Sequence, residues 1–374
     1  MNLTSRERIM RIFENKEIDR PALKLWGACP GATMLHPAYR PVHELACRIS
    51  DLFVLSSSPF NVYYGQNCEK YTEKYYEDTD SPTWKNEHVI FHTPKGDLHG
   101  INRVSTVKEP SFTIEHLIKE PEDIEKMLSV EYSPYEFSNT EYIAKQSELG
   151  DRGVAMFNLD HAAYAIQRLI GSENLAYFSI DCRDELTELT KVFSERIINH
   201  AKEAINSGIK GVFSWVGPEV FIPPLMSPKD FEEFVFDNDK KLCDVIHNAG
   251  GYVWVHCHGK VANFIERFVQ MGVNVLNPLE PPTNGDIYLD EAILKHSDCI
   301  GWEGNIEIQD IIQSEPEHLK ELIRTCVEAG NKSGRFILCP SAGYMEYPFP
   351  TEEYIDNLML YLNYGYECVE KCRK

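Results

Sequence analysis

Short apolar runs alternate with longer amphipathic ones along this chain, and no other feature restricts its fold as strongly. Apolar runs at residues 22–26, 51–55, 154–158, 210–216, 252–257, 273–277, 299–302 and 335–339 predict buried strands. Amphipathic stretches at 162–169, 184–207, 228–248, 261–271, 289–295, 308–330 and 351–372 predict helices between and after them. Strands joined through helices pair in parallel, because a crossover must carry the chain back before the next strand starts. Eight such units predict an α/β fold of the (βα)8 TIM-barrel type, a single domain over 1–374. An open doubly wound sheet is the alternative, but no GxGxxG follows the first strand to support it.

One segment departs from this alternation. From about 60 to 150 the chain is rich in Tyr, Asp, Glu and Pro, with a turn at Pro94-Lys95-Gly96-Asp97 and a charged helix near 121–128. It is expected as hairpins and short helices inserted after the second strand, with Tyr63, Tyr64, Tyr71, Tyr75 and Tyr76 building or lining a lid. A helix over 4–15, capped by Thr4, precedes the first strand.

A net charge of −21 argues against nucleic acid as a partner and against docking on anionic membranes. No apolar run reaches membrane-spanning length, and the polar start Met1-Asn-Leu-Thr4 is no secretory signal, so a cytoplasmic protein is expected. The 11 cysteines are odd in number, scattered and without a CxxC pair, which predicts reduced thiols.

In a TIM barrel the chemistry gathers at the C-terminal ends of the strands. That rule collects Trp26 near the first strand's end, Asp160 and His161 after the third, and Glu219 after the fourth. The fifth strand contributes His256 and His258, the sixth Glu280, the seventh Glu303 and Asn305, and the eighth Cys339 followed by Tyr344 and Glu346. Side chains alternate along a strand, so His256 and His258 face one way and Cys257 the other. Two imidazoles so placed suit one transition metal, with Glu280 and Cys339 as further candidate ligands. Glu219, Asp160 and His161 are the catalytic candidates; Asn305, Tyr344 and Trp26 are candidates for substrate binding. Each has a plainer alternative. Asp160 and His161 can cap the next helix, Glu219 can be a solvated loop residue, Cys339 can be core, and Asn305 can serve turn geometry.

Several stretches resemble the uroporphyrinogen decarboxylase superfamily across nearly the whole length. They are Arg6-Glu-Arg-Ile-Met-Arg11 with Asp19-Arg-Pro21, Thr93-Pro-Lys-Gly-Asp-Leu98 with Pro121-Glu-Asp123, Met226-Ser-Pro-Lys-Asp-Phe-Glu-Glu-Phe-Val235, His256-Cys-His-Gly259 and Gly304-Asn305. The resemblance implies a TIM barrel and two branches of chemistry. Decarboxylases of the superfamily carry arginine just after the first strand, where this chain has Lys24-Leu-Trp-Gly-Ala-Cys-Pro-Gly31 and no arginine. The other branch holds zinc methyltransferases that work with corrinoid proteins. There a strand-end His-x-Cys-Gly, a Glu after the next strand and a Cys after the last strand supply the zinc ligands. His256 and Glu280 fit that pattern. His258 stands where the branch has Cys, and Ala342 falls where the last Cys is expected, three residues after Cys339. The implied function is zinc-dependent movement of a methyl group between a small donor, such as a methyl ether, and a corrinoid carried by a partner protein. The alternatives are a metal-free decarboxylase and a non-catalytic tetrapyrrole- or corrinoid-binding protein.

Overall fold

The computed structural model describes residues 2–32, 36–57, 62–66, 68–296, 298–343 and 350–374; Tyr344 and Glu346 lie outside them. Strands β1 (Ala22–Leu23) and β2 (Leu52–Ser57) come first. Four antiparallel strands follow, β3 (Thr72–Asp78), β4 (Trp84–Phe91), β5 (Leu98–Ser105) and β6 (Phe112–Glu115), and form a sheet of their own in sequential order. The chain then returns through β7 (Gly153–Asn158), β8 (Val212–Val216), β9 (Tyr252–His256), β10 (Val275–Asn277), β11 (Gly301–Ile306) and β12 (Phe336–Pro340). These six join β1 and β2 in one curled parallel sheet of order β1-β12-β11-β10-β9-β8-β7-β2, flanked by helices. The architecture is TIM-barrel-like.

The alternation of side chains builds two cores. Inward-facing Phe53, Met156, Val212, Trp254, Val275 and Ile337 pack with Ile9, Ile12 and Phe13 of the helix Ser5–Phe13. That helix lies at the N-terminal ends of the strands, where Arg335 Nε and Asn274 Nδ2 donate to the carbonyls of Ile12 and Phe13. Outward-facing residues such as Leu23, Phe213, Val255 and Leu338 pack beneath the surrounding helices.

Strand limits differ from the sequence pattern by one to four residues, and the differences at β1, β10 and β11 bear on the site. β1 has two residues, not five. β10 starts at Val275 because the N–H of Val273 closes the preceding helix on Phe268, while Asn274 spends its side chain on the N–H of Val253. β11 continues to Ile306, because its ladder with β12 runs unbroken from Trp302↔Phe336 to Ile306↔Pro340. Glu303 and Asn305, expected beyond the strand, therefore lie within it.

Among the described residues no ladder joins β1 to β2, and a side chain closes the gap. Asp51 donates its N–H to the Leu23 carbonyl (2.7 Å), and its Oδ2 accepts the Leu23 N–H (2.9 Å). The carboxylate also takes Arg8 Nη1 (2.6 Å) and Arg20 Nη1 (3.0 Å), while Arg8 Nε reaches Asp19 at 2.7 Å. Asp19 and Asp51 side chains are fully buried. Removing one partner of such a group leaves a buried charge uncompensated, so Asp51→Ala should lower unfolding free energy by about 3–5 kcal/mol in urea titrations. Burial by itself would raise the Asp19 carboxyl, but Arg8 outweighs it and holds Asp19 at about 2, below its ordinary 3.8. A carboxyl depressed by folding stabilises fully above its unfolded pKa, and that contribution disappears as pH falls from about 4 to 2. Across this window the wild type should lose about 1–2 kcal/mol more stability than Asp19→Asn, measured by urea titration at each pH.

Candidate functional site

β9 carries its inward residues Trp254 and His256 to the mouth, and Cys257, on the opposite face, is fully buried in the outer core. The His258 ring returns to the side of His256, with centroids 4.4 Å apart and planes at 86°. Each ring is anchored through Nδ1. His256 Nδ1 lies 2.5 Å from Oδ1 of Asn277, at the end of β10. Asn277 turns its amide nitrogen to the Glu303 carbonyl (3.2 Å), so its oxygen faces His256 and the imidazole proton belongs on Nδ1. His258 Nδ1 lies 2.8 Å from Glu280 Oε1, and Glu280 Oε2 accepts the Gly259 N–H at 2.8 Å. Neither Nε2 has a protein partner among the described residues.

The two rings are electrostatically unlike. Burial first, then the neighbouring charges of His258 and Lys24, hold His256 down at about 3 against the Asn277 bond, so it stays neutral. Burial also pulls His258 down, but the hydrogen bond and charge of Glu280, with Glu219 and Glu307 behind it, outweigh burial and raise it. Glu280 is correspondingly held below the usual carboxyl range, since His258 and the Gly259 N–H overcome its burial.

Glu219 follows β8 in the short turn Pro218–Phe221. Tyr164 O–H donates to its Oε1 (3.1 Å), and the Gly217 N–H donates to its Oε2 (3.0 Å). Burial raises this carboxyl above its ordinary value, although His258 pulls the other way. Gly217 has φ +150°, and a Cβ there would come 2.7 Å from the His161 ring, so this turn needs glycine. His161 itself is committed at both nitrogens. Nδ1 accepts the Ala163 N–H (3.2 Å) as the cap of helix Ala162–Ile170, and Nε2 bonds both oxygens of Asp239 (2.9 and 3.0 Å). Asp160 pairs with Arg168 at 2.6 Å, and its carbonyl accepts the Tyr63 hydroxyl.

A second group fills the lumen beside His256. Lys24 Nζ lies 2.6 Å from Glu303 Oε1, and Trp254 Nε1 lies 2.9 Å from Oε2, all nearly inaccessible to solvent. The rings of Trp26, Trp254 and Phe53 surround the ammonium at 4.1, 4.8 and 4.9 Å. The Cys339 thiol belongs to this group; burial, reinforced by Glu303, pushes it well above the usual thiol range. Trp26 is fixed by its indole N–H on the Pro340 carbonyl (2.8 Å) and stands edge-on to His256 at 5.7 Å. Asn305 turns its amide oxygen to the Cys326 thiol on helix Pro316–Asn331 (3.2 Å). A cleft of about 460 Å³, lined by Lys24, Trp26, Phe53, Leu55 and Met156, opens where β1 and β2 part.

Lys24 and Asn277 were not among the residues singled out from sequence. The available signals were one charge in the otherwise apolar run 22–26, and an amide ending a strand. Two histidines whose Nε2 atoms have no partner among the described residues, beside carboxylates, are donor types that suit a metal. Among the described residues, however, no three His, Cys, Asp or Glu groups converge as one preset ligand set. If Glu280 governs His258, Glu280→Gln should lower the His258 pKa in an NMR titration of the ring protons; an unchanged titration would remove Glu280 from that role.

A structural likeness spans 97% of this chain and 99% of a methyltransferase from Methanosarcina mazei, with a TM-score of 0.59 at 13% identity, and it concerns the fold. A Bacteroides ovatus GH5 xyloglucanase is similar at a TM-score of 0.29 and 13% identity, over 60% of this chain and 59% of that one. No curated protein matches the sequence. The sequence profile described as uroporphyrinogen decarboxylase (URO-D) matches residues 106–353, well over half of the chain, and the chain therefore belongs to the uroporphyrinogen decarboxylase family.

Proposed function

We propose that this protein is a cytoplasmic zinc-dependent methyltransferase that moves a methyl group between a small donor, such as a methyl ether, and a corrinoid carried by a separate protein. The observation that carries the reading is the pair of mouth-side imidazoles, each pinned at Nδ1 and each with Nε2 uncommitted among the described residues. Metal-ligating histidines are commonly held this way, with the second nitrogen donated to an amide or carboxylate. The end-to-end likeness in fold to a methyltransferase supports the same reading. Among the described residues no helix is long and apolar enough to cross a membrane.

His256, His258 and Glu280 would hold the zinc. Glu280 now bonds His258 on the ring edge away from Nε2, so it would join the zinc only by exchanging its bond to Nδ1 for the metal. Zinc in that position would polarise the heteroatom that carries or receives the methyl group. Burial raises the Glu219 carboxyl above its ordinary value, on the His258 side of the mouth, which favours its taking up a proton there. That suits it to neutralise an oxygen as its methyl leaves. Trp26 and the cleft beside it offer an apolar wall for the body of the donor.

Protein purified after expression with added zinc should carry about one zinc per chain, and His258→Ala should lose it while keeping the wild-type circular dichroism. Mixed with a methyl donor and a reduced corrinoid protein, it should shift the cobalt spectrum to the methylated form. Glu219→Gln should slow that shift about 10²–10⁴-fold without releasing zinc. A metal-free protein that liberates carbon dioxide from a carboxylated substrate would establish the decarboxylase instead. A metal-free protein that only binds a tetrapyrrole would establish a binding protein.

A further inference from the structure

The lumen group does more than fill space. Lys24 from β1, Trp254 and His256 from β9, Asn277 from β10 and Glu303 from β11 form one connected circuit. Glu303 uses its side chain to hold Lys24 and the Trp254 indole, and its backbone carbonyl to hold the Asn277 amide. Trp254 stacks on the His256 ring (5.9 Å, 27°), and Trp26 meets the same ring edge-on. Lys24 lies over both of those indoles.

We propose that Asn277, Glu303 and Lys24 are positioning residues that fix the His256 ring in the tautomer with hydrogen on Nδ1 and the lone pair on Nε2. The argument is one of hydrogen-bond direction. Were Asn277 flipped, its oxygen would meet the Glu303 carbonyl oxygen, and two acceptors would face each other in a dry lumen. With Asn277 as it stands, a His256 carrying hydrogen only on Nε2 would set the Nδ1 lone pair against Oδ1 at 2.5 Å. One arrangement gives both the His256–Asn277 and the Asn277–Glu303 contact a donor and an acceptor. It requires the Glu303 main-chain carbonyl, while the side chain of the same residue, bonded to Lys24 and to the Trp254 indole, holds the ring that stacks on His256.

A purely structural account of Lys24 and Glu303 is weaker. A buried ion pair adds little over apolar side chains of the same volume, and neighbouring inward positions of this lumen are in fact apolar, as at Phe53, Met156, Val275 and Ile337. The inference deepens the metal reading of His256, since a preset Nε2 lone pair is what a metal ion needs.

The test uses ¹⁵N-histidine NMR on the metal-free full chain, with zinc affinity measured separately by competition with a chromogenic chelator. Wild-type His256 should show hydrogen on Nδ1. Asn277→Ala should mix the tautomers and weaken zinc about 10–100-fold. The paired change Lys24→Met with Glu303→Gln, neutral and similar in volume, should also mix the tautomers. Hydrogen on Nε2 in the wild type, or a folded Asn277→Ala with wild-type tautomer and affinity, overturns the proposal. The two readings fail separately. Wild-type protein with the Nδ1 tautomer but no zinc binding defeats the metal reading alone. Tight zinc that ignores Asn277→Ala defeats the positioning role alone.

Discussion

Closure between β1 and β2 is the constraint on which the rest of the molecule depends. A two-residue β1 has a ladder to β12 but none to β2 among the described residues, so backbone pairing alone leaves the ring open there. Asp51 acts as a surrogate strand edge, accepting and donating to Leu23, and its charge is then trapped in the interior. Arg8 and Arg20 compensate it, Arg8 also binds Asp19, and Arg373 near the C-terminus reaches Asp19 at 2.7 Å. Both ends of the chain are thereby tied to one seam. Lys24 follows Leu23 directly, so the same closure that shuts the base of the barrel aims an ammonium into the lumen above it.

This explains why much of the family signature is silent about chemistry. Arg8, Asp19 and Arg20, within the first recognisable stretch, are the seam. In the stretch from Met226 to Val235, Ser227 and Asp230 form a capping box, and Asp230 pairs with Arg183 at 2.7 Å. The π-helical turn Glu232–Phe236 follows, and the next helix begins at Asp237 and carries Asp239 to His161. In this chain these residues serve the fold, whatever the site catalyses.

How far the sequence could be read followed the range of the interactions involved. Helix–strand alternation and the facing of His256 and His258 depend on local period, and both were legible. Strand ends were less so, because the partner strand decides them: β11 extends through Glu303 and Asn305 only because β12 keeps pairing with it. Roles that depend on distant partners were hidden. Lys24 and Glu303 meet across 279 positions of sequence, and nothing near either one announces the other. His161 and Asn305 looked like mouth residues by position, yet their polar atoms turn to Asp239 and Cys326.

The charge balance at the mouth bears on which chemistry the site suits. Glu280 is held ionised by His258, whereas burial moves Glu219 and Glu307 toward their neutral forms. His256 is neutral, and the Lys24 charge is matched by Glu303 at 2.6 Å. A divalent ion on two imidazoles and one carboxylate would keep a net positive charge, where a site with thiolates would be closer to neutral. Residual positive charge favours polarising an oxygen over raising the nucleophilicity of a bound thiolate. The histidine at 258, in place of the cysteine of the thiolate-bearing branch, thus shifts the proposed chemistry toward oxygen-bound methyl groups.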